Sequence, residues 1–331
     1  MTKSSLDVIS IGGATRDIFF RTSKARIIPA PEKHRAQLVA FEYGEKIIPE
    51  EVYLTQGGGG HNSATCFARL GLKAAAALSV GDDGSGHRIK ALLGQRGVDT
   101  SLVRFDAHIA TALSVIIVVE RDHISFLYRG ANDHLEIAEW ALLERVRWFY
   151  VTSLTGRGAA LLPQLAEFAR RRGKQLALNP GSLQLRAGYR GLKDILKETS
   201  VLIVNYEEGC ALARSLEANV DRDDRVALLK TLSRMGPRLV VITEGREGSC
   251  AFDASGVHEQ EAIPVEVHDT TGAGDAYGAT LVAALMSGFD VKRAMTLASM
   301  NSAAVVSRSG ATEGLLSLAE LERRMAGYGA A

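Results

Sequence analysis

The chain has 331 residues, 46% of them apolar and 23% charged, and a formal net charge of +1. Those fractions belong to a globular protein of one large domain or two ordinary ones. So small a net charge excludes a general electrostatic attraction to nucleic acid or to an acidic membrane surface.

The first element in chain order is Leu6 to Ile11, an apolar run ending in Gly12-Gly13, which reads as a buried strand and a tight turn. Asp17 to Gln56 reads differently. Short strand-like runs (Asp17 to Arg21, Gln37 to Glu42, Lys46 to Ile48) are divided by Pro29, Pro31 and Pro49, which suggests a small antiparallel piece or a loop outside any central parallel sheet. A helix over Asn62 to Leu70, a strand over Ala74 to Val80 and a helix over Gly84 to Arg96 follow. Ala112 to Glu120 and Ile124 to Tyr128 then form a hairpin about Arg121-Asp122-His123.

From there strands and helices alternate. Strands are expected at Trp148 to Thr152, Gln175 to Leu178, Val201 to Val204 and Leu239 to Ile242, with helices at Gly158 to Arg172, Tyr189 to Glu198, Glu207 to Ser215 and Arg225 to Met235. A hairpin-like pair, Gly248 to Asp253 and Val257 to Ala262, precedes two helices, Ala273 to Ser287 and Val291 to Ser307. This alternation predicts an α/β protein, with a mostly parallel central sheet covered on both faces. We expect a single domain, 1–331, carrying a β appendage built from about 16–56 and 106–129. The arginine runs 170–172 and 323–324 close helical patterns and read as solvated helix ends.

Cys66, Cys210 and Cys250 have no metal-type spacing and are too few for a disulfide framework. With a polar start and no apolar run of membrane-spanning length, they point to a cytoplasmic protein without a membrane partner.

Chemistry concentrates in His268-Asp269-Thr270-Thr271-Gly272-Ala273-Gly274-Asp275-Ala276-Tyr277. A glycine-broken turn here opens an apolar helix, whose first amides lack intrahelical partners and carry partial positive charge. The glycines let an anion approach that backbone, and Asp275 stands at its mouth. An anion cradle beside a carboxylate suits phosphoryl transfer; a plain tight turn with an acidic first-turn residue has the same spelling.

A second glycine run, Gln56-Gly57-Gly58-Gly59-Gly60-His61-Asn62-Ser63-Ala64, precedes a helix. Asn62 offers a donor and an acceptor, which suit a sugar hydroxyl or a helix cap. No Gly-Lys-Ser/Thr follows, so it is no P-loop, and the pattern lacks a dinucleotide fingerprint.

These two segments, in this order and separation, resemble the signatures of the ribokinase-like (pfkB-type) carbohydrate kinases. Asn205-Tyr206-Glu207-Glu208, Thr243-Glu244-Gly245 and Asn179-Pro180-Gly181 resemble further elements of that family. The resemblance implies a three-layer α/β/α sandwich with a small β lid, and ATP-dependent phosphorylation of a hydroxyl on a sugar. It implies Asp275 as catalytic base, with Gly272, Ala273 and Gly274 as its anion hole. Asp17, Gly58, Gly59 and Asn62 would hold the acceptor. Asn205, Glu208, Thr243 and Gly245 would serve the nucleotide, with Glu208 reaching Mg²⁺ through water. Asp269 and Thr271 match a K⁺ position, with Gly310 as a later contributor. A homodimer through the lid edge is compatible with the pattern.

Some positions depart from that pattern. Thr15 stands where family members often have Asn, and Gly59 where ribokinases carry Lys, so ribose itself is not implied. The alternatives are a nucleoside kinase of the same family, for which Phe41 or Tyr43 could supply a base pocket, and a non-catalytic sugar-binding sensor. His61, Arg129 and Asn301 can each be read as ligand contacts or as an exposed loop residue, a surface ion pair and a packing residue respectively.

Overall fold

The computed structural model describes residues 5–29, 37–120, 122–216 and 224–328; Pro31 and Arg121 of the sequence reading lie outside them. The chain opens with β1 (Leu6–Ile11) and β2 (Thr15–Arg21); β3 (Arg26–Pro29) pairs antiparallel with β4 (Gln37–Ala40) as a sheet of its own. β5 (Glu51–Gly57) leads into helix α1 (Gly59–Arg69). Next come β6 (Ala74–Gly81), α2 (Gly84–Gln95), β7 (Asp99–Asp106), β8 (Ala112–Val119) and β9 (Asp122–Tyr128).

The regular alternation then begins: β10 (Val146–Val151), α3 (Leu161–Arg172), β11 (Gln175–Leu178), α4 (Ser182–Glu198), β12 (Val201–Asn205) and α5 (Tyr206–Arg214). α6 (Arg225–Ser233), β13 (Leu239–Thr243) and the antiparallel pair β14 (Ser249–Asp253) and β15 (Gly256–Gln260) precede α7 (Ala273–Met286), α8 (Val291–Val306) and α9 (Leu318–Tyr328).

Nine strands form the main sheet in the order β15-β14-β13-β12-β11-β10-β1-β6-β7. Neighbours from β13 to β7 are parallel. The parallel strands are apolar on both sides because each face is covered. Leu202 and Val204 of β12 face α3 to α6, while Val201 and Ile203 face α1, α7 and α8. That alternation makes the three layers. α7 is apolar all round since it is sandwiched between sheet and α8, with Ala276 to Ala284 buried. Gly278 is needed there, as a Cβ would stand 2.3 Å from the Tyr150 hydroxyl. The packing fixes where the helix begins.

The second sheet has the order β5-β2-β8-β9. It joins segments far apart in sequence, and within it β2 and β8 run parallel. The sequence reading needs three further corrections. Lys46 to Ile48 forms no strand; the strand is β5, and it leads directly into the glycine run. β7 went unread and belongs to the main sheet, so the second sheet regains the chain only at Ala112. α4 starts seven residues earlier than its pattern, at Ser182, through a kink where Gly188 has φ +62°. The three cysteines are buried and free, and among the described residues no helix is long and apolar enough to cross a membrane.

Candidate active site

The glycine turn before α7 is held from both ends. One oxygen of Asp269 accepts from the Thr271 amide at 2.9 Å and the other from the Gly310 amide at 3.2 Å. Gly272 sits in the left-handed region at φ +80°, where a Cβ would lie 2.6 Å from Ala311, so only glycine fits. Ser302 of α8 donates to the Ala273 carbonyl at 3.1 Å. The Ala273 amide, expected in the anion hole, donates to Thr270 at 3.3 Å. The Gly274 amide lies further into the first turn, at an exposed residue with open space where its side chain would be.

Asp275 follows in that first turn, partly exposed. Its Oδ2 accepts from Asn62 Nδ2 at 2.8 Å, across 213 positions of sequence. Burial lifts its pKa above the usual carboxylate value, and the Asn62 bond opposes the rise. Gly59 is appressed to the pair: a Cβ there would be 3.2 Å from Asp275 Oδ1 and 2.9 Å from Thr152. Gly58, at φ +91°, lies against the Gly13 carbonyl, which receives the Gly60 amide at 2.9 Å. The glycine run thus starts α1 against the end of β1, three residues before the predicted helix start at Asn62.

Asp17, on β2, joins this group. It is 5% exposed, and its pKa is raised to about 6, chiefly by burial and further by the charges of Asp269 and Asp275; a hydrogen bond from Thr15 opposes the rise. The structure therefore gathers Asp17, Gly58, Gly59, Asn62, Asp269, Thr271, Gly272, Ala273, Gly274 and Asp275 into one region.

The remaining expected residues lie at the carboxyl ends of β12 and β13, where α/β sheets bind ligands. Asn205 caps α5: its Oδ1 accepts from the Glu208 amide, and Glu208 Oε2 accepts from the Asn205 amide, both at 2.9 Å. Burial raises the Glu208 pKa. Asn205, Thr243 and Gly245 line a cleft of about 630 Å³ with Tyr206, Glu207 and Arg225. Gly245 has φ +57°. Glu244 is tied to Arg225 at 2.7 Å.

Four further residues read from the sequence take these positions. His61 is fully buried on α1, not exposed in a loop. Asn301 packs in the core, donating to Thr280 at 2.8 Å and accepting from the Leu316 amide at 2.9 Å. Tyr43 is fully exposed and builds no pocket. Arg129 is half-buried where β9 gives way to a short 3-10 turn, Gly130–His134. Thr15, noted in the sequence as a departure from the family pattern, lies beside Asp17; sequence reasoning missed Thr152 and Asn132, whose Oδ1 accepts from the Ala14 amide at 3.0 Å. Their only signal was proximity to the ends of β10 and β9.

A carboxylate beside a glycine-built helix start and a cleft at the sheet's carboxyl edge thus stand on one α/β/α sandwich. The pfkB family carbohydrate kinase profile matches residues 27–318, and the chain belongs to that family. It is 28% identical over 270 residues to a nucleoside kinase of Methanothermobacter thermautotrophicus, covering 81% of this chain and 84% of that protein. It is also 28% identical over 283 residues to the ribokinase of Bacillus subtilis, covering 84% and 90%. The Arabidopsis thaliana ribokinase solved with ribose and ATP superimposes with a TM-score of 0.79 at 20% identity, covering 96% of this chain and 98% of that one. The protein is an ATP-dependent carbohydrate kinase with an alcohol group as acceptor.

Proposed function

We propose that the acceptor is a small sugar or sugar derivative whose reacting hydroxyl is deprotonated by Asp275. The Asn62–Asp275 bond carries this reading, because it holds one carboxylate oxygen and leaves the other to face an acceptor. Asp17, on the neighbouring strand, accepts from further hydroxyls of the sugar. The Gly272-Ala273-Gly274 start of α7 stabilises charge on the migrating phosphoryl group, and its geometry is set before the substrate arrives. Asn205, Thr243 and Gly245 receive the nucleotide. The second sheet acts as a lid that excludes water as a competing acceptor.

Glu208 fits a role towards Mg²⁺: it is an oxygen ligand with one oxygen committed to Asn205. Bound Mg²⁺ would neutralise phosphate charge. The Thr271 and Gly310 amides both donate to the Asp269 carboxylate, which brings the three residues together; the remaining lone pairs of that carboxylate and the oxygens of Thr271 and Gly310 are the groups that would hold K⁺.

One observation favours a nucleoside instead. Phe19 and Tyr53 stack at 4.4 Å on the lid face that carries Asp17, and half-buried Tyr53 offers a flat surface for a base. ATP consumption with ribose, fructose, 2-keto-3-deoxygluconate and adenosine decides between them. Turnover with sugars alone supports the first reading, turnover with adenosine alone the second. No ATP consumption with any of these four would exclude all of them as acceptors and call for a wider panel of sugars and nucleosides.

A further inference from the structure

We infer that His61 is a positioning residue for the transfer: its Nδ1–H locks the Asn62 amide in the one orientation that donates to Asp275. The inference rests on Asp275 being the base. An ionised carboxylate only accepts, so the Asn62 group 2.8 Å from Asp275 Oδ2 is the NH₂. Asn62 Oδ1 must then face the other way, and it lies 3.2 Å from His61 Nδ1. An amide oxygen also only accepts, so Nδ1 carries the ring proton. Burial holds the His61 pKa down to about 4, leaving one ring proton at neutral pH. Nε2 is therefore bare, and it is a buried atom without a hydrogen-bond partner. A side chain serving only to fill this fully buried position would be apolar and would leave no acceptor orphaned. The histidine fits a different task, which its other nitrogen performs.

The lock matters because the terminal torsion of Asn is nearly two-fold. Turned over, the amide would set Oδ1 against Asp275, and two acceptors would repel. Asp275 would then hold its proton more tightly and be a poorer base at neutral pH. The charged groups nearby are Arg96 on the His61 side and Asp17 and Asp269 on the carboxylate side, and the Cys66 thiol and Tyr150 hydroxyl, both kept neutral by burial, also face Asp275.

Three variants and one spectrum test this. His61→Leu is expected to fold, with kcat about three- to tenfold lower at pH 7.5, the scale of one lost hydrogen bond, and with KM for ATP unchanged. The acidic limb of its kcat profile moves to higher pH. His61→Asn, whose side-chain N–H can take the Nδ1 place, returns that limb towards wild type. Imidazole ¹⁵N spectra of the wild-type protein are expected to show a protonated Nδ1 and bare Nε2 that does not titrate from pH 5 to 9. This readout stands even if His61→Leu fails to fold. An Nε2–H tautomer overturns the inference. So does a His61→Leu enzyme with wild-type kcat and pH profile beside an inactive Asp275→Asn control. An active Asp275→Asn enzyme overturns the base assignment and this inference with it.

Discussion

Gly57 and Asp17 are in contact across the second sheet: a Cβ at Gly57 would fall 2.0 Å from Asp17 Oδ2 and 3.2 Å from Thr15 Oγ1. Gly57→Ala must therefore push the Asp17 carboxylate aside. We expect kcat/KM for the acceptor to fall by about 10²-fold, the scale of a 1 Å misplacement, with the affinity for ATP kept. Steady-state kinetics varying each substrate in turn would show it.

Asp275→Asn keeps the shape of the site and removes the proposed base. Turnover should fall by about 10² to 10⁴, with little change in acceptor binding measured by calorimetry. Normal turnover with ATP, Mg²⁺ and the true acceptor would refute the assignment.

Asp17 links function to stability. Its pKa is 3.8 in an ordinary setting and about 6 here. The folded protein then binds the proton more tightly than the unfolded chain, so this group's contribution to stability falls as pH rises from 3.8 through about 6. The cost above that window is on the order of 2–3 kcal/mol. Asp17→Asn should raise Tm by several degrees at pH 8 and by less at pH 5, while weakening acceptor binding. Thermal unfolding at both pH values tests the first half, and acceptor titration the second.

Gly272→Ala puts a side chain at φ +80° against Ala311. A destabilisation of about 1–3 kcal/mol is expected, together with a loss of turnover larger than the loss of acceptor affinity, since the amides of the helix start are displaced. Urea unfolding and kinetics on one preparation separate the two effects.

K⁺ should accelerate the reaction through Asp269. Assays in K⁺ and in a bulky organic cation at equal ionic strength should differ in rate for the wild-type enzyme and converge for Asp269→Asn. Equal wild-type rates in the two buffers would remove the site.

The sequence exposed what depends on local rules. The apolar strands β1, β10, β12 and β13, and the glycine turn before Asp275, are visible because burial and helix starts leave short-range patterns. β7 was hidden because Asp99–Asp106 is polar at many positions; it lies at the edge of the sheet, covered on one side. His61 was misread because its neighbours are glycines, and only the Gly13 carbonyl, 48 positions back, turns those glycines into a helix start. Asn301 was ambiguous because its partners, Thr280 and Leu316, are distant in the chain. Contacts of that range have no sequence period.

The loop at 309–310 touches both halves of the site. Ser309 lies near the Tyr53 hydroxyl of β5, Gly310 lies beside Thr55 of the same strand, and the Gly310 amide holds Asp269 of the turn before α7. If β5 closes over a sugar as proposed, that movement would reach the turn before α7, where the proposed site places the transferred phosphoryl group. Free-energy reciprocity then demands the converse, so that whatever factor the first ligand adds to the second's affinity, the second returns to the first.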